Sequence, residues 1–395
     1  MDRIYEHLAA KLDEFPHGFP RTESGVELRI LEKIFAPDEA AMAVHLLPIP
    51  EPVQAIAHRL GRPAEQLRPI LERMVRRGQI LSFRSRGETV YGLAPFVIGI
   101  YEFQLPRMDA ELATLVEEYA PHLVGTVGGA KPALARVIPV NARIDAAAVI
   151  LPYEDVRGML AGARSFRLME CICRTQQAKL GKPCSHPLET CMAFSSRENA
   201  YEGTLATDYG RTVTREEALA VLDLSERDGL VHCTYNVQRE PMFVCNCCTC
   251  CCGFLRGVKE FGAPHLLVRS NWVSTIEAGR CTACGACAGG RCPMDAIALQ
   301  DGRHTVSEGR CIGCGVCTIG CPTDAIMLKP RPRRERTTPP GTIATWAFAR
   351  AVRRRGALGA AVQFGGLAIT TIWARLAARR GEREERGKWW DPEDG

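Results

Sequence analysis

The residues with the clearest chemical potential are cysteines that recur in a fixed pattern. Residues 281–293 read CTACGACAGGRCP, and residues 311–322 read CIGCGVCTIGCP. Each unit has three cysteines at i, i+3 and i+6 and then a Cys-Pro pair, so a small unit is duplicated within the chain. Three thiolates on one tight loop can reach three corners of a single cluster, and the small residues between them let backbone amides turn toward its sulfur atoms. This spacing indicates iron-sulfur chemistry.

Over about residues 278–330 the sequence resembles the bacterial-type two-cluster ferredoxins, in which the cysteine before the proline ligates the other cluster. The resemblance implies two [4Fe-4S] clusters. Its implied ligands are Cys281, Cys284, Cys287 and Cys321 for the first cluster, and Cys311, Cys314, Cys317 and Cys292 for the second. The first unit departs from the common pattern, because four residues (AGGR) precede its Cys-Pro where three are usual. Zinc is the alternative, but two triads plus two Cys-Pro pairs fit its usual paired CxxC ligands badly.

Eleven further cysteines precede the repeat, and ten of them are candidate ligands. Four lie in one irregular loop, and six lie in the run CNCCTCCCG; they are Cys171, Cys173, Cys184, Cys191, Cys245, Cys247, Cys248, Cys250, Cys251 and Cys252. The loop alone has enough thiols for one cluster, and a zinc site that uses His186 is the alternative. The run has two thiols more than one cubane takes, and either a helical or an extended backbone points them in two directions. We therefore expect the run to complete or bridge centres begun in the loop, giving one or two more clusters or one cluster and a reactive dithiol.

Composition and the N-terminal residues indicate a reducing compartment. The chain of 395 residues is 46% apolar and 24% charged, which predicts several globular domains. The first residues, MDRIYEHLAAKLDEF, include acidic side chains and lack a continuous apolar segment, unlike a secretory signal peptide. We therefore expect a cytoplasmic protein, in which stable disulfides are a poor explanation for nineteen cysteines. The formal net charge of +5 by itself favours neither nucleic acid nor membrane as a partner.

Helical periodicity followed by a basic hairpin around Arg86-Gly87 resembles a winged helix-turn-helix domain over about residues 26–95. Basic residues on or near its candidate recognition helix and wing would suit phosphate contacts; they are Arg62, Arg73, Arg76, Arg77, Arg84 and Arg86. Pro69 inside that helix, together with Glu65 and Glu72, counts against DNA binding. Protein interaction is the alternative role.

The predicted fold is multidomain α+β, with a winged helix, a central α/β cysteine-rich domain, a dicluster ferredoxin-like module and a helical tail. The predicted bounds are an N-terminal helix and linker at 1–25, then 26–98, 99–269 and 270–330 for the three domains, and 331–395 for an Arg/Pro linker with the tail. Residues 356–374 carry no charge and are near the minimum length for a membrane span. Their glycines, Gln363 and threonines favour a helix on a membrane surface or on a partner.

Together these features predict an iron-sulfur electron-transfer protein that serves a partner oxidoreductase. No phosphate loop or nucleotide fingerprint accompanies the cysteines, so we identify no small-molecule substrate. An electron carrier or oxidoreductase subunit is favoured over a stand-alone enzyme. Two alternatives stay open: a redox-responsive winged-helix regulator of transcription, and a reductase whose catalytic cluster or dithiol lies within Cys245 to Cys252.

Overall fold

The computed structural model describes residues 3–85, 87–140, 144, 149–201, 209–263 and 265–387, with side chains of the last helix described to residue 367. Arg86 of the predicted wing lies outside these residues. The chain divides into two units. One contains Met1–Arg107, Ala200–Tyr209 and Ala351–Gly395, and the other contains Met108–Asn199 and Gly210–Arg350.

The described residues form a mixture of helices and strands, as the sequence predicts. The α-helices are α1 (Arg3–Asp13), α2 (Val26–Ile34), α3 (Pro37–Val44), α4 (Val53–Leu60), α5 (Ala64–Arg76), α6 (Tyr101–Phe103), α7 (Ala110–Gly129), α8 (Val156–Ala161), α9 (Ile172–Lys179), α10 (Arg215–Arg227), α11 (Gly253–Lys259), α12 (Val316–Ile319) and α13 (Ile343–Gly387). The strands are β1 (Glu51–Pro52), β2 (Leu81–Ser85), β3 (Glu88–Gly92), β4 (Ala135–Ile138), β5 (Ser165–Glu170), β6 (Glu189–Ser195), β7 (Arg211–Val213), β8 (Val231–Tyr235), β9 (Phe243–Cys247), β10 (Leu267–Val268), β11 (Trp272–Ile276), β12 (Ile297–Gln300), β13 (Arg303–Val306) and β14 (Ile326–Pro330).

The first unit starts with amphipathic helices and continues into a small sheet of order β1-β3-β2. In α5, Leu67 and Leu71 are buried at helical spacing, and the helix continues through Pro69. β2 and β3 form a hairpin in which Ser85 pairs with Glu88. The winged-helix interpretation of these elements stays a prediction.

The second unit is built on a seven-stranded sheet of order β10-β4-β8-β9-β6-β5-β7. Its neighbouring strands are antiparallel except for β10 and β4. Cys245 of the central strand β9 lies opposite Cys191 of β6 and opposite Cys233 of β8. Because directly opposite residues point to the same face of a sheet, this register gathers thiols from three distant parts of the sequence.

The cysteine repeat is framed by two antiparallel pairs, β11 with β14 and β12 with β13. Val140, just after β4, donates its N–H to the carbonyl oxygen of Cys314 at 2.8 Å. The buried carboxylate of Glu154 accepts the N–H of Asn271 at 2.9 Å and the indole N–H of Trp272 at 3.3 Å. Because buried polar groups need partners, these hydrogen bonds fix the repeat against the sheet.

The last helix, α13, is interrupted at Gly356, whose φ of 76° is left-handed. Within the first unit, Arg354 of this helix forms an ion pair with Asp13 at 2.7 Å. In the described part of the chain, the helices are too short or too polar to cross a membrane. The expected membrane-surface or partner contact of residues 356–374 stays a prediction.

Candidate metal centres

The eight cysteines of the repeat line two separate cavities. One is lined by Cys281, Cys284, Cys287 and Cys321, which we call set 1. The other is lined by Cys292, Cys311, Cys314 and Cys317, which we call set 2. Each cavity combines the triad of one cysteine repeat with the Cys-Pro cysteine of the other repeat, which is the exchange that the ferredoxin resemblance implies.

Left-handed backbone shapes both ligand loops at matching positions. Ala283 has φ 55° and Gly313 has φ 68°, and each residue precedes the second cysteine of its triad. A Cβ atom at Gly313 would collide with the carbonyl oxygen of Trp272 and with the hydroxyl of Ser270. Glycine is therefore required at residue 313 by the close approach of β11 as well as by its φ.

Hydrogen bonds reach three of the predicted ligand sulfurs. They run from Ala296 N to Cys292 Sγ, from Ala325 N to Cys321 Sγ, and between Ser274 Oγ and Cys317 Sγ, each at 3.2 Å. The first two hydrogen bonds occupy equivalent places in the two cysteine repeats. Donors on ligand sulfurs stabilise negative charge there and raise the reduction potential of a bound cluster.

The two cavities differ in burial. The triad cysteines of set 2 are buried, whereas Cys284 of set 1 is exposed. Burial raises the pKa of Cys317 to about 12. Burial also acts to raise the pKa of Cys321, but the hydrogen bonds of Thr323, Ala325 and Ile326 together outweigh it and lower that pKa. Set 2 is thus the enclosed site and set 1 is the site nearer solvent.

The residues around both cavities fit [4Fe-4S] clusters. All eight donors are thiols, the donor type that holds such clusters. His304 lines the set 1 cavity, and its Nδ1 atom is buried without a hydrogen-bond partner among the described residues. A buried polar atom left unpaired beside a thiol-lined cavity suits a site whose bound group supplies the missing partner.

Six other thiols form a closed series, the thiol ring, in which each thiol lies close enough to the next to shift its pKa. The order of this thiol ring is Cys171, Cys191, Cys245, Cys247, Cys252 and Cys173, which returns to Cys171. The ring joins the end of β5, the first turn of α9, β6, β9 and the start of α11. The sulfur atoms of Cys191 and Cys245 lie 3.9 Å apart.

A second group, the thiol quartet, contains Cys184, Cys248, Cys250 and Cys251. Their four sulfur atoms all lie within 4.8 Å of one another. Cys184 lies 3.8 Å from Cys248 and 3.4 Å from Cys250. The quartet thus brings the loop before β6 into contact with the turn after β9.

The guanidinium of Arg174 lies between the ring and the quartet. It is 2% exposed. Burial by itself lowers its pKa, but the thiolates of Cys171 and Cys248 raise that pKa above the ordinary value. In return, hydrogen bonding from Cys251 and then the charge of Arg174 lower the pKa of Cys248 to about 4. One buried cation therefore stabilises a thiolate in each group.

The four loop cysteines predicted to form one ligand group lie in two groups. Cys171, Cys173 and Cys191 join the ring, and Cys184 joins the quartet. His186, the zinc ligand of the alternative interpretation, is not part of the quartet; its Nδ1 lies 2.5 Å from Asp228 Oδ2. The run after Phe243 contributes to both groups, in keeping with its expected bridging position.

Three residues beyond the sequence-based candidates shape these groups. Cys233 lies close enough to Cys247 of the ring to raise its pKa. Ser274 contacts Cys317, and the charge of Arg174 acts on thiols of both groups. An arginine directly after CxC is a signal for a buried counter-charge, whereas the strand register that places Cys233 has no local signal.

Comparison with known proteins identifies one region. Residues 280–326 match the family model of the 4Fe-4S dicluster domain. The predicted ferredoxin-type domain and its [4Fe-4S] clusters are therefore confirmed, and all eight cysteines of sets 1 and 2 lie within the matched residues. Comparisons with curated proteins and with solved structures found no match.

Proposed function

We propose that this iron-sulfur protein transfers electrons between a partner oxidoreductase and its cysteine-rich sheet through sets 1 and 2. When bound, each [4Fe-4S] cluster accepts and releases single electrons. The protein's contribution is to hold the thiolates, exclude water and keep the sites in contact. One observation carries the proposal: set 1, set 2 and the thiol ring are joined by continuous apolar packing.

The first link joins sets 1 and 2. Cys287 and Cys321 of set 1 pack in the same apolar cluster as Cys292 and Cys317 of set 2, together with the buried Ile326. Apolar packing of this kind brings the two cavities into contact through the protein interior. It favours direct transfer from one site to the other.

The second link joins set 2 to the thiol ring. Cys314 of set 2 belongs to one apolar core cluster with Cys247 and Cys252 of the ring. The hydrogen bond from Val140 to Cys314 ties the same loop to the strand that neighbours β8. The ring is therefore a suitable terminus for electrons that leave set 2.

The exposed end of this series is set 1. Cys284 is exposed, while the set 2 triad is enclosed. A partner protein that docks over Cys284 would approach set 1 more closely than set 2. We therefore place the redox partner's docking site at the ligand loop of set 1.

The thiol ring is proposed to bind one additional [4Fe-4S] cluster with four of its six thiols. Its thiols supply the required donor type, and Arg174 offsets part of the negative charge of the bound thiolates. Because six thiols exceed the four that a cubane takes, two ring thiols stay outside this cluster.

Metal analysis and EPR of anaerobically purified protein test this proposal. We expect about twelve irons and an equal amount of acid-labile sulfide per chain, eight in the repeat and four in the ring. In the reduced protein, the EPR signals of set 2 and the ring should broaden each other. Cys314→Ala should remove that broadening, whereas the matched variant Cys284→Ala should retain it. About eight irons, or a ring signal indifferent to Cys314→Ala, would contradict the proposal.

A reductase is a second candidate, because the ring has two thiols beyond those of one cluster. Cys191 and Cys245, with sulfur atoms 3.9 Å apart, are the candidate pair. Their disulfide would take up two electrons, one from each ferredoxin cluster, and two protons to give two thiols. Alkylation should then label two more thiols after dithionite reduction than in the oxidised protein, and equal labelling would exclude a cycling dithiol.

The regulator alternative stays a prediction, and the charges of α5 weigh against DNA binding. Arg73 forms ion pairs with Asp38 at 2.5 Å and Glu39 at 2.9 Å, and Arg77 lies 3.5 Å from Glu39. These carboxylates already pair with two of the arginines for which phosphate contacts are predicted. Sequence-selective, salt-dependent DNA binding that changes with oxidation would support the regulator.

A further inference from the structure

The thiol quartet has the geometry of a site for one metal ion. Four sulfur ligands at about 2.3 Å from one tetrahedral ion lie about 3.8 Å from each other. In the quartet, the sulfur atoms of Cys184 and Cys248, Cys184 and Cys250, and Cys250 and Cys251 are 3.8, 3.4 and 3.6 Å apart. All four sulfur atoms lie within 4.8 Å of one another.

The ferredoxin sets provide an internal comparison. A cubane places its four thiolates on four separate irons, so those thiolates stand farther apart than around one ion. Accordingly, among the residues described, no three ligand atoms of set 1 or set 2 gather within 4.8 Å of one another, whereas all four of the quartet do. The same chain thus contains wide thiol sites for clusters and one narrow thiol site.

We infer that Cys184, Cys248, Cys250 and Cys251 bind one tetrahedral Zn²⁺ ion rather than a cubane. Four thiolates in tetrahedral array are the ligand set of structural zinc, and a closed set of four leaves no position for substrate. This metal is separate from the electron-transfer route proposed above. It also differs from the zinc site with His186 considered from the sequence.

The surroundings indicate a structural role for this ion. Cys248 and Cys251 are buried beside Leu230, while Cys250 is exposed at the rim. Cys184 belongs to the loop between α9 and β6, and the other three ligands follow β9 directly. A Zn²⁺ ion with four thiolates has a net charge of −2, and the buried guanidinium of Arg174 beside Cys248 offsets half of it. The ion would therefore fasten two loops that flank the thiol ring.

The test is zinc and iron content per chain in the wild type and in two matched variants of exposed cysteines. We expect one zinc in the wild type, loss of that zinc with unchanged iron in Cys250→Ala, and loss of iron with retained zinc in Cys284→Ala. Loss of about four irons in Cys250→Ala, or one iron with a rubredoxin-like spectrum in place of zinc, would overturn the inference.

X-ray absorption at the zinc edge of the wild-type protein provides a test that does not depend on the folding of a variant. We expect four sulfur neighbours at about 2.3 Å. Nitrogen or oxygen in the zinc shell, or absence of zinc from fully iron-loaded protein, would also overturn the site. An iron count that contradicts the ring cluster would not change the zinc content or the zinc-edge spectrum. The zinc site and the proposed electron-transfer function can therefore fail separately.

Discussion

Arg174 Nη2 donates a hydrogen bond to the main-chain oxygen of Asn246 at 2.8 Å. This contact ties the first turn of α9 to β9 at the point where the cysteine-dense run begins. The same guanidinium donates to the carbonyl oxygen of Pro187 at 2.7 Å and to Thr190 Oγ1 at 2.6 Å. One side chain thus connects the three chain segments that supply the ring and the quartet.

Replacing Arg174 should destabilise the cysteine-rich region strongly. Arg174→Met leaves three oxygen acceptors, two of them in buried contacts, without their donor and removes the charge beside two thiolates, a loss of about 3 to 5 kcal/mol. Anaerobic urea unfolding followed by far-UV circular dichroism measures it. Arg174→Lys should be intermediate, because lysine keeps the charge but lacks the planar fork. Arg164→Met, at an exposed arginine, should change little, and an equal effect of both methionine variants would count against this role.

The longer Cys-Pro gap of the first repeat contains Arg291, which has a structural use. Arg291 donates to the main-chain oxygens of Glu226 at 2.8 Å, Arg227 at 2.5 Å and Val316 at 2.9 Å, so it joins the C-terminus of α10 to α12. A cation is favoured at a helix C-terminus. Arg291→Ala should lower the free energy of unfolding by about 1.5 to 3 kcal/mol.

Thermal unfolding of the Arg291→Ala protein under anaerobic conditions gives the comparison. The exposed Arg303 of β13 offers a matched control, for which Arg303→Ala should leave the melting temperature nearly unchanged. If the two alanine variants have the same melting temperature, Arg291 does not anchor the repeat to α10.

Alanine variants of Gly313 and Gly285 distinguish the effect of backbone strain from that of steric collision. Both residues have positive φ, but a Cβ at Gly285 meets no atom within 4 Å, whereas a Cβ at Gly313 collides with β11. Gly313→Ala should therefore lose the set 2 cluster, about four irons per chain. Gly285→Ala should keep its iron at a cost of about 1 kcal/mol. Equal iron loss in both variants would show that backbone strain, and not collision with β11, causes the loss of a cluster.

The buried carboxyl of Glu102, in the structural unit that contains Met1–Arg107, should make stability depend on pH. Burial raises the pKa of Glu102 from 4.5 to about 7, although its carboxylate accepts the N–H of Gly99 at 2.7 Å. The unfolded chain releases this proton near pH 4.5 and the folded chain near pH 7, so stability falls as pH rises across this window, by about 3 kcal/mol at most.

The variant Glu102→Gln should remove this fall, because glutamine stays neutral and still accepts the hydrogen bond. Urea midpoints at pH 5.5 and 8 measure the difference. Glu65→Gln, at an exposed residue of α5, should leave the wild-type pH dependence intact. Parallel curves for wild type and Glu102→Gln would refute the assignment.

The ferredoxin repeat could be read from the sequence because its information is local. Three cysteines of each unit lie within seven residues, and the duplication supplies the partner of each Cys-Pro cysteine. The two cavities accordingly contain the same groups of four that the resemblance implies. The gap containing Arg291 was visible too, but its contact with α10 was not, since that helix lies 64 residues earlier.

The other thiols could not be sorted in this way. The sequence by itself determined that the chain binds iron through a duplicated cysteine unit and that the ten remaining candidate ligands are too many for one site. Only the tertiary structure decided their division, because β9 lies between β6 and β8 in the sheet and thereby sets Cys191 opposite Cys245. The turn after β9 then brings Cys248 to Cys184, 64 residues away. Contacts at that separation depend on strand order and register, which short-range spacing does not encode.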